Sequence, residues 1–127
     1  MAVVVAGVVS SFTDWFFFGV LFHDKYFAHP EVWRSAPGKS ETKKILTVTL
    51  MGFVTCAAFV FLCWLFSIHG YKVALELAGI TWIMAPVPLI VSNALYIKMH
   101  PSLVVSHSLG WLARLVAAAL AAGWLLL

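Results

Sequence analysis

Four long apolar stretches constrain what this chain can fold into. They cover about residues 3–22, 45–68, 73–97 and 109–127. The hydrocarbon core of a bilayer is about 30 Å thick, and a helix needs roughly 20 predominantly apolar residues to span it. Because each stretch has about that length, the sequence predicts an all-α, polytopic integral membrane protein with four transmembrane helices in an up-down bundle. The short breaks between the stretches predict a single domain over residues 1–127.

The composition excludes a soluble monomer. Of the 127 residues, 63% are hydrophobic and only 10% are charged. A soluble domain carries about 25% charged residues. The chain therefore has too little polar surface to cover a globule in water, and its hydrophobicity also excludes a disordered chain.

The basic residues predict an orientation in the membrane. Most of them lie in the segment 23–44, an expected interfacial loop, which contains Lys25, Arg34, Lys39, Lys43 and Lys44. The expected loop 98–107 adds Lys98, whereas the opposite side has only Lys72. The positive-inside rule places both basic loops in the cytoplasm and both termini outside. The net charge of +3 is explained by the lipid bilayer as partner, and no nucleic acid is expected.

Three charged residues fall inside the predicted helices: Asp14, Glu76 and Arg114. Glu76 lies near the outer interface, one turn after Lys72, where a salt bridge between the two explains it, so Asp14 and Arg114 are the two deep charges. A charged side chain at the centre of a spanning helix costs about 2.5–3.5 kcal/mol on insertion scales, so such residues are candidates for function. Counting about 1.5 Å per residue from the expected cytoplasmic ends puts Asp14, Asn93 and Arg114 at roughly 10–14 Å depth, with Thr49 slightly shallower. We expect a buried polar layer in which Asp14 and Arg114 pair.

Small residues share the helix faces of these polar side chains. They are Gly7, Ser10 and Ser11 in the first helix, Gly52, Cys56 and Cys63 in the second, and Gly110, Ala118 and Ala121 in the fourth. Small residues permit tight helix contacts in lipid, so these faces should point into the bundle. Pro86 and Pro88 should kink the third helix near the midplane. Two interpretations stay open: a polar ligand pocket or pathway, and an ion pair that only sets the helix register.

The histidines offer a further site. His23, His29, His100 and His107 lie at the predicted cytoplasmic ends, and imidazole is the commonest nitrogen ligand of metals. However, the sequence contains no His-x-x-x-His and no Cys-x-x-Cys motif. We therefore predict no metal and no cofactor, and a haem or metal site at these histidines is kept as an alternative. The absence of a catalytic constellation favours a protein that is not an enzyme.

Short motifs close three of the predicted helices: WFFFGVLF at residues 15–22, SNALY at residues 92–96 before a basic turn with Pro101, and Trp124 near the end. In these features the chain resembles the uncharacterised four-helix membrane family catalogued as domain of unknown function 1761. The resemblance implies a four-helix fold and draws attention to Asn93. The segment 30–44 departs from the pattern, and the resemblance implies no reaction, ligand or catalytic residue.

These observations lead to three functional hypotheses. The first is a binding or transport-type module for a small or amphipathic ligand, with the buried polar layer as its site. The second is an accessory or structural subunit of a larger membrane complex, since a small bundle of this kind is expected to form a homo-oligomer or to join an assembly. The third is a membrane enzyme or a haem or metal protein that uses the cytoplasmic-side histidines.

Overall fold

The computed structural model describes residues 1–24, 28 and 42–126, which are helical and contain no strand. The helices are α1 (Ala2–Asp14), which continues directly into a π-helical segment (Trp15–Leu21), α2 (Thr42–Leu65), α3 (Tyr71–Met84), α4 (Pro86–Tyr96) and α5 (Pro101–Leu125). Since α3 and α4 form one span, four spans are long and apolar enough to cross a membrane. The predicted all-α, four-span membrane fold is confirmed. Most of the expected interfacial loop, including His29, lies outside the described residues.

Helix α5 is the centre of the bundle, because it packs against α1, α2, α3, α4 and the π-helical segment. Its buried face consists mainly of small residues: Gly110, Ala117, Ala118, Ala119, Ala121, Ala122 and Gly123. Small side chains let helix backbones approach closely, which is the main source of helix association in lipid. Gly123 illustrates this, since a Cβ atom there would lie 3.2 Å from the Tyr71 Cα atom. The buried face of α5 therefore determines how closely and where the other helices pack.

A second close approach joins α1 to α2. The ring of Phe53 occupies the position that a Cβ atom of Gly7 would need. Next to this contact, the buried residues Ala6, Cys56 and Phe59 belong to the hydrophobic core that α1 and α2 share with α5. Both α2 and α5 pack against the face of α1 that carries its polar residues.

Two prolines divide the third span, as the sequence predicts. Helix α3 ends at Met84 and α4 begins at Pro86, with Ala85 between them at φ −126° and ψ −67°. Proline has no N–H to donate to the preceding turn, and it disfavours helical geometry in the residue before it. Both halves of the span pack against α5.

The last helix begins earlier than the expected start near residue 109. Its first residue is Pro101, and the N-cap residue His100 accepts a hydrogen bond from the Ser102 N–H through its side chain. Proline at the first helical position and a side-chain cap are strong start signals, and they extend the helix through polar residues that hydropathy had assigned to a loop. Arg114 consequently lies near the middle of α5, about 20 Å from its first residue and about 17 Å from its last.

Candidate functional site

A buried ion pair connects α1 to α5. The Nη2 atom of Arg114 donates to the Oδ2 atom of Asp14 at 2.5 Å. Both residues are buried, with exposed fractions of 8% for Arg114 and 9% for Asp14. The structure thus brings together the two charged residues that the sequence places inside the membrane.

Two further residues hold the guanidinium of Arg114. Ser10 lies one helical turn before Asp14 on α1, and its Oγ atom accepts a hydrogen bond from the Arg114 Nε atom at 3.0 Å. Trp111 lies one turn before Arg114 on α5, and the Arg114 Cζ atom stands 5.0 Å from the centroid of its ring. This distance is in the range of a cation–π interaction. The guanidinium is therefore bound both at its edge and on its face.

Helix α2 closes the cluster with Gly52 and Cys56. A Cβ atom on Gly52 would lie 3.7 Å from the Ser10 Oγ atom and 3.7 Å from the Arg114 Cζ atom. Cys56, one turn later on the same helix, is fully buried. The polar cluster, which we define as Ser10, Asp14 and Arg114, is thus enclosed by three helices.

One atom of the polar cluster lacks a partner. Among the described residues, no group donates a hydrogen bond to the buried Oδ1 atom of Asp14. An ionised carboxylate can only accept hydrogen bonds, and an unsatisfied buried acceptor costs about 1–3 kcal/mol. Asp14 therefore presents an acceptor that could bind a donor from another molecule.

The π-helical segment begins immediately after Asp14. It extends over seven residues, Trp15–Leu21. π-Helical geometry is rare and occurs frequently at functional sites. Within it, the Phe18 ring lies 5.1 Å from the His107 ring, and its Cζ atom lies close to Gly110. The change of helix type therefore coincides with the Asp14 position and sets how the following aromatic residues contact α5.

The other two residues assigned to the polar layer differ in their burial. Asn93 is exposed on α4, and Thr49 is half-buried on α2, one turn before Gly52. The packed side of α4 consists of the buried Pro86 and Ile90 and the half-buried Ala94, at a spacing of four residues. Since successive residues of a helix are about 100° apart, Asn93 lies about 60° from Ile90 around the helix, at the flank of that side, where its side chain is exposed. The depth counted along the sequence did not reveal the exposure of Asn93, because depth does not determine which face of α4 packs against α5.

Ser10 and Trp111 are not among the site residues that the sequence predicts. Ser10 is expected there only as one of the small residues that face the bundle. The signal that identifies both is helical spacing, because Ser10 precedes Asp14 by four residues and Trp111 precedes Arg114 by three. A polar or aromatic residue at such a spacing from a buried charge is in position to contact that charge, as Trp111 does, or its partner, as Ser10 does.

The described histidines lie apart: His23, His69 and His100 lie near helix ends, and His107 lies in the second turn of α5. His100 caps α5, the half-buried His107 packs against Phe18, the His69 Nδ1 atom lies 3.0 Å from the Leu126 carbonyl oxygen, and His23 is exposed. Within the described part of the chain, no three His, Cys, Asp or Glu side chains are grouped so that they could hold a metal ion.

Comparison with known proteins identifies the family. The family described as "Protein of unknown function (DUF1761)" matches residues 1–123, which is nearly the whole chain. The protein belongs to this family, and the resemblance found in its sequence is confirmed. No curated protein and no solved structure matches the chain.

Proposed function

We propose that this member of the family is a binding or transport-type membrane module for a small or amphipathic ligand, and that the polar cluster is its site. The observation that carries the proposal is the Oδ1 atom of Asp14, which is buried and has no hydrogen-bond donor among the described residues. The proposal assigns no cofactor to the site.

The alternative role of the cluster is purely structural. A buried ion pair recovers its desolvation cost only when the remaining lone pairs are satisfied by further hydrogen bonds. Arg114 makes one further hydrogen bond, to Ser10, and a cation–π contact with Trp111, whereas the Asp14 Oδ1 atom has no donor among the described residues. The asymmetry, together with the π-helical segment that follows Asp14, favours a site that accepts a ligand over a pair that only sets the helix register.

The orientation of the module follows from its basic residues. Lys43 and Lys44 lie at the start of α2 and Lys98 follows α4, at the same end of an up-down bundle, whereas Lys72 lies at the other end. By the positive-inside rule we place the first group in the cytoplasm and both termini outside. Accessibility labelling of single cysteines introduced beside Lys44 and Lys72 in a variant without native cysteines tests this orientation.

The ligand hypothesis is tested by what the protein retains on purification. We would purify the wild-type chain, the Asp14→Asn variant and the Glu76→Gln variant in a mild detergent, and identify co-purifying molecules by mass spectrometry. Glu76 is an exposed carboxylate near the start of α3 and serves as the matched control. We expect a molecule that the wild type and Glu76→Gln retain and that Asp14→Asn loses, with the helical content unchanged. Identical molecules in all three preparations would contradict the proposal.

A second candidate function is an accessory or structural subunit of a larger membrane assembly. The exposed polar side chains of Ser92 and Asn93 on α4 favour it, because polar groups on the membrane face of a helix promote association with other helices. Native mass spectrometry of the wild type and of Asn93→Leu tests this role. Association with a larger subunit or a second copy, lost in the variant, supports it, and a monomer in both cases argues against it.

A further inference from the structure

We infer that a groove between α1 and α5, separate from the polar cluster, binds one acyl chain of an anionic phospholipid. The groove has a volume of about 270 Å³ and lies at the end of the bundle opposite Lys43, Lys44 and Lys98. Three of its properties lead to this ligand: the apolar lining, the size and the groups at its mouth.

The lining of the groove is apolar and small at its base. Ala117 and Ala121 are buried on α5, one turn apart, and form this base. Val9 of α1 and Leu120 of α5 flank it and are exposed at 43% and 45%. Since these helices are membrane spans, the open side of the groove faces the hydrocarbon of the bilayer. An apolar group fills such a space, because a polar one would lose its hydrogen bonds to water there.

The size of the groove favours an acyl chain over a helix of a partner. Two turns of a helix that is about 10 Å wide occupy about 850 Å³, which is far more than the groove offers. Its volume equals that of about nine water molecules, and a methylene group is similar in size to a water molecule. The lining positions repeat at one-turn spacing, as Val5 and Val9 on α1 and Ala117 and Ala121 on α5. The groove therefore follows the helix axes, as the acyl chains of a bilayer do.

The mouth of the groove carries groups that suit a phosphate. Tyr71, the first residue of α3, and Trp124, near the end of α5, line it with rings that each carry a hydrogen-bond donor, as is typical of a membrane–water interface. Close packing against Gly123 fixes the position of Tyr71. The next residue, Lys72, is exposed and is the outermost charge of α3, since Glu76 lies one turn deeper. A negatively charged headgroup above the groove complements this lysine.

Lipid binding to the purified full chain tests the inference. We would titrate the protein in a nonionic detergent with dioleoyl phosphatidylglycerol and dioleoyl phosphatidylcholine, which differ in headgroup charge, and count the bound lipids by native mass spectrometry. Val9→Phe fills the groove from α1. Its control is Val8→Phe, because Val8 is 45% exposed but does not line the groove. For the headgroup, Lys72→Gln is compared with Lys98→Gln at the other end of the bundle.

We expect the wild type and Val8→Phe to bind one phosphatidylglycerol about tenfold more tightly than Val9→Phe does, because the added ring excludes about two methylene groups from the groove. Lys72→Gln should lower the preference for phosphatidylglycerol over phosphatidylcholine about fivefold, and Lys98→Gln should leave it unchanged. Asp14→Asn should bind the lipid as the wild type does, so this site is tested independently of the polar cluster.

Three results would overturn the inference. Equal binding by Val9→Phe and Val8→Phe excludes the groove as the site, and equal binding of the two lipids to the wild type excludes the anionic headgroup. If the wild type is a dimer that Val9→Phe dissociates, the occupant is a second copy of the chain and not a lipid. Circular dichroism verifies that each variant is folded, and Leu120→Trp, which fills the groove from α5, replaces Val9→Phe if that variant does not fold.

Discussion

Asp14 and Arg114 are separated by 100 residues in the sequence, yet the Oδ2 and Nη2 atoms of their side chains lie 2.5 Å apart. The contact joins the first span to the last, and α5 in turn contacts every other helix. The pair thus links the candidate site to the helix that organises the bundle. Its energetic role can be measured separately from ligand binding.

Removal of either charge should destabilise the bundle. We expect Arg114→Ala to lower the free energy of unfolding by about 3–5 kcal/mol, because Asp14 would be left buried without its counter-charge. Asp14→Ala should have a similar effect through the uncompensated guanidinium. The double variant Asp14→Arg with Arg114→Asp should recover part of the loss. A double-mutant cycle in detergent unfolding measures the coupling, and zero coupling would contradict the pairing.

Ser10 should contribute to stability through the Arg114 Nε atom. Ser10→Ala removes the acceptor of a buried charged donor, so we expect a loss of about 1–3 kcal/mol in thermal or denaturant unfolding. The control is Ser11→Ala, since the Ser11 hydroxyl donates only to the Gly7 carbonyl of its own helix. Equal effects of the two substitutions would argue against the bond between Ser10 and Arg114.

The Gly123 position should not tolerate a larger residue. A Cβ atom there would lie 2.9 Å from the Tyr71 ring and 3.2 Å from its Cα atom, so α3 and α5 would have to separate. We expect Gly123→Ala to destabilise the bundle by about 1–3 kcal/mol. Gly79→Ala, in open space, should be neutral or slightly stabilising because alanine favours helix. Thermal unfolding of the two variants compares them, and similar melting temperatures would contradict the close packing.

Trp82 should tie α3 to α5 by a specific hydrogen bond. Its Nε1 atom donates to the Ser108 carbonyl oxygen at 2.8 Å. We expect Trp82→Phe to cost about 0.5–1.5 kcal/mol, beyond the change in ring size. Trp64→Phe is the control, because Trp64 is 63% exposed. If Trp64→Phe lowers the melting temperature as much as Trp82→Phe does, the hydrogen bond contributes no measurable stability.

The extent of each span was harder to predict than its existence. Hydropathy identified the fourth span but began it near residue 109, since Ser106, His107 and Ser108 are polar. The helix begins at Pro101, because the cap from His100 and the bond from Trp82 to the Ser108 carbonyl oxygen accommodate this polar turn against the bundle. The shift moves Arg114 from an expected depth of roughly 10–14 Å to the middle of its helix.

The sequence by itself determined that this protein is a four-span helical membrane protein and that Asp14 and Arg114 are its costly residues. Both conclusions follow from the transfer of side chains into lipid, which depends on residue type and on length along the chain. Tertiary structure alone decided that α5 is central, that Ser10 and Trp111 hold Arg114, and that Asn93 is exposed. These features depend on which faces pack together, and close contacts between small residues distant in sequence determine that packing.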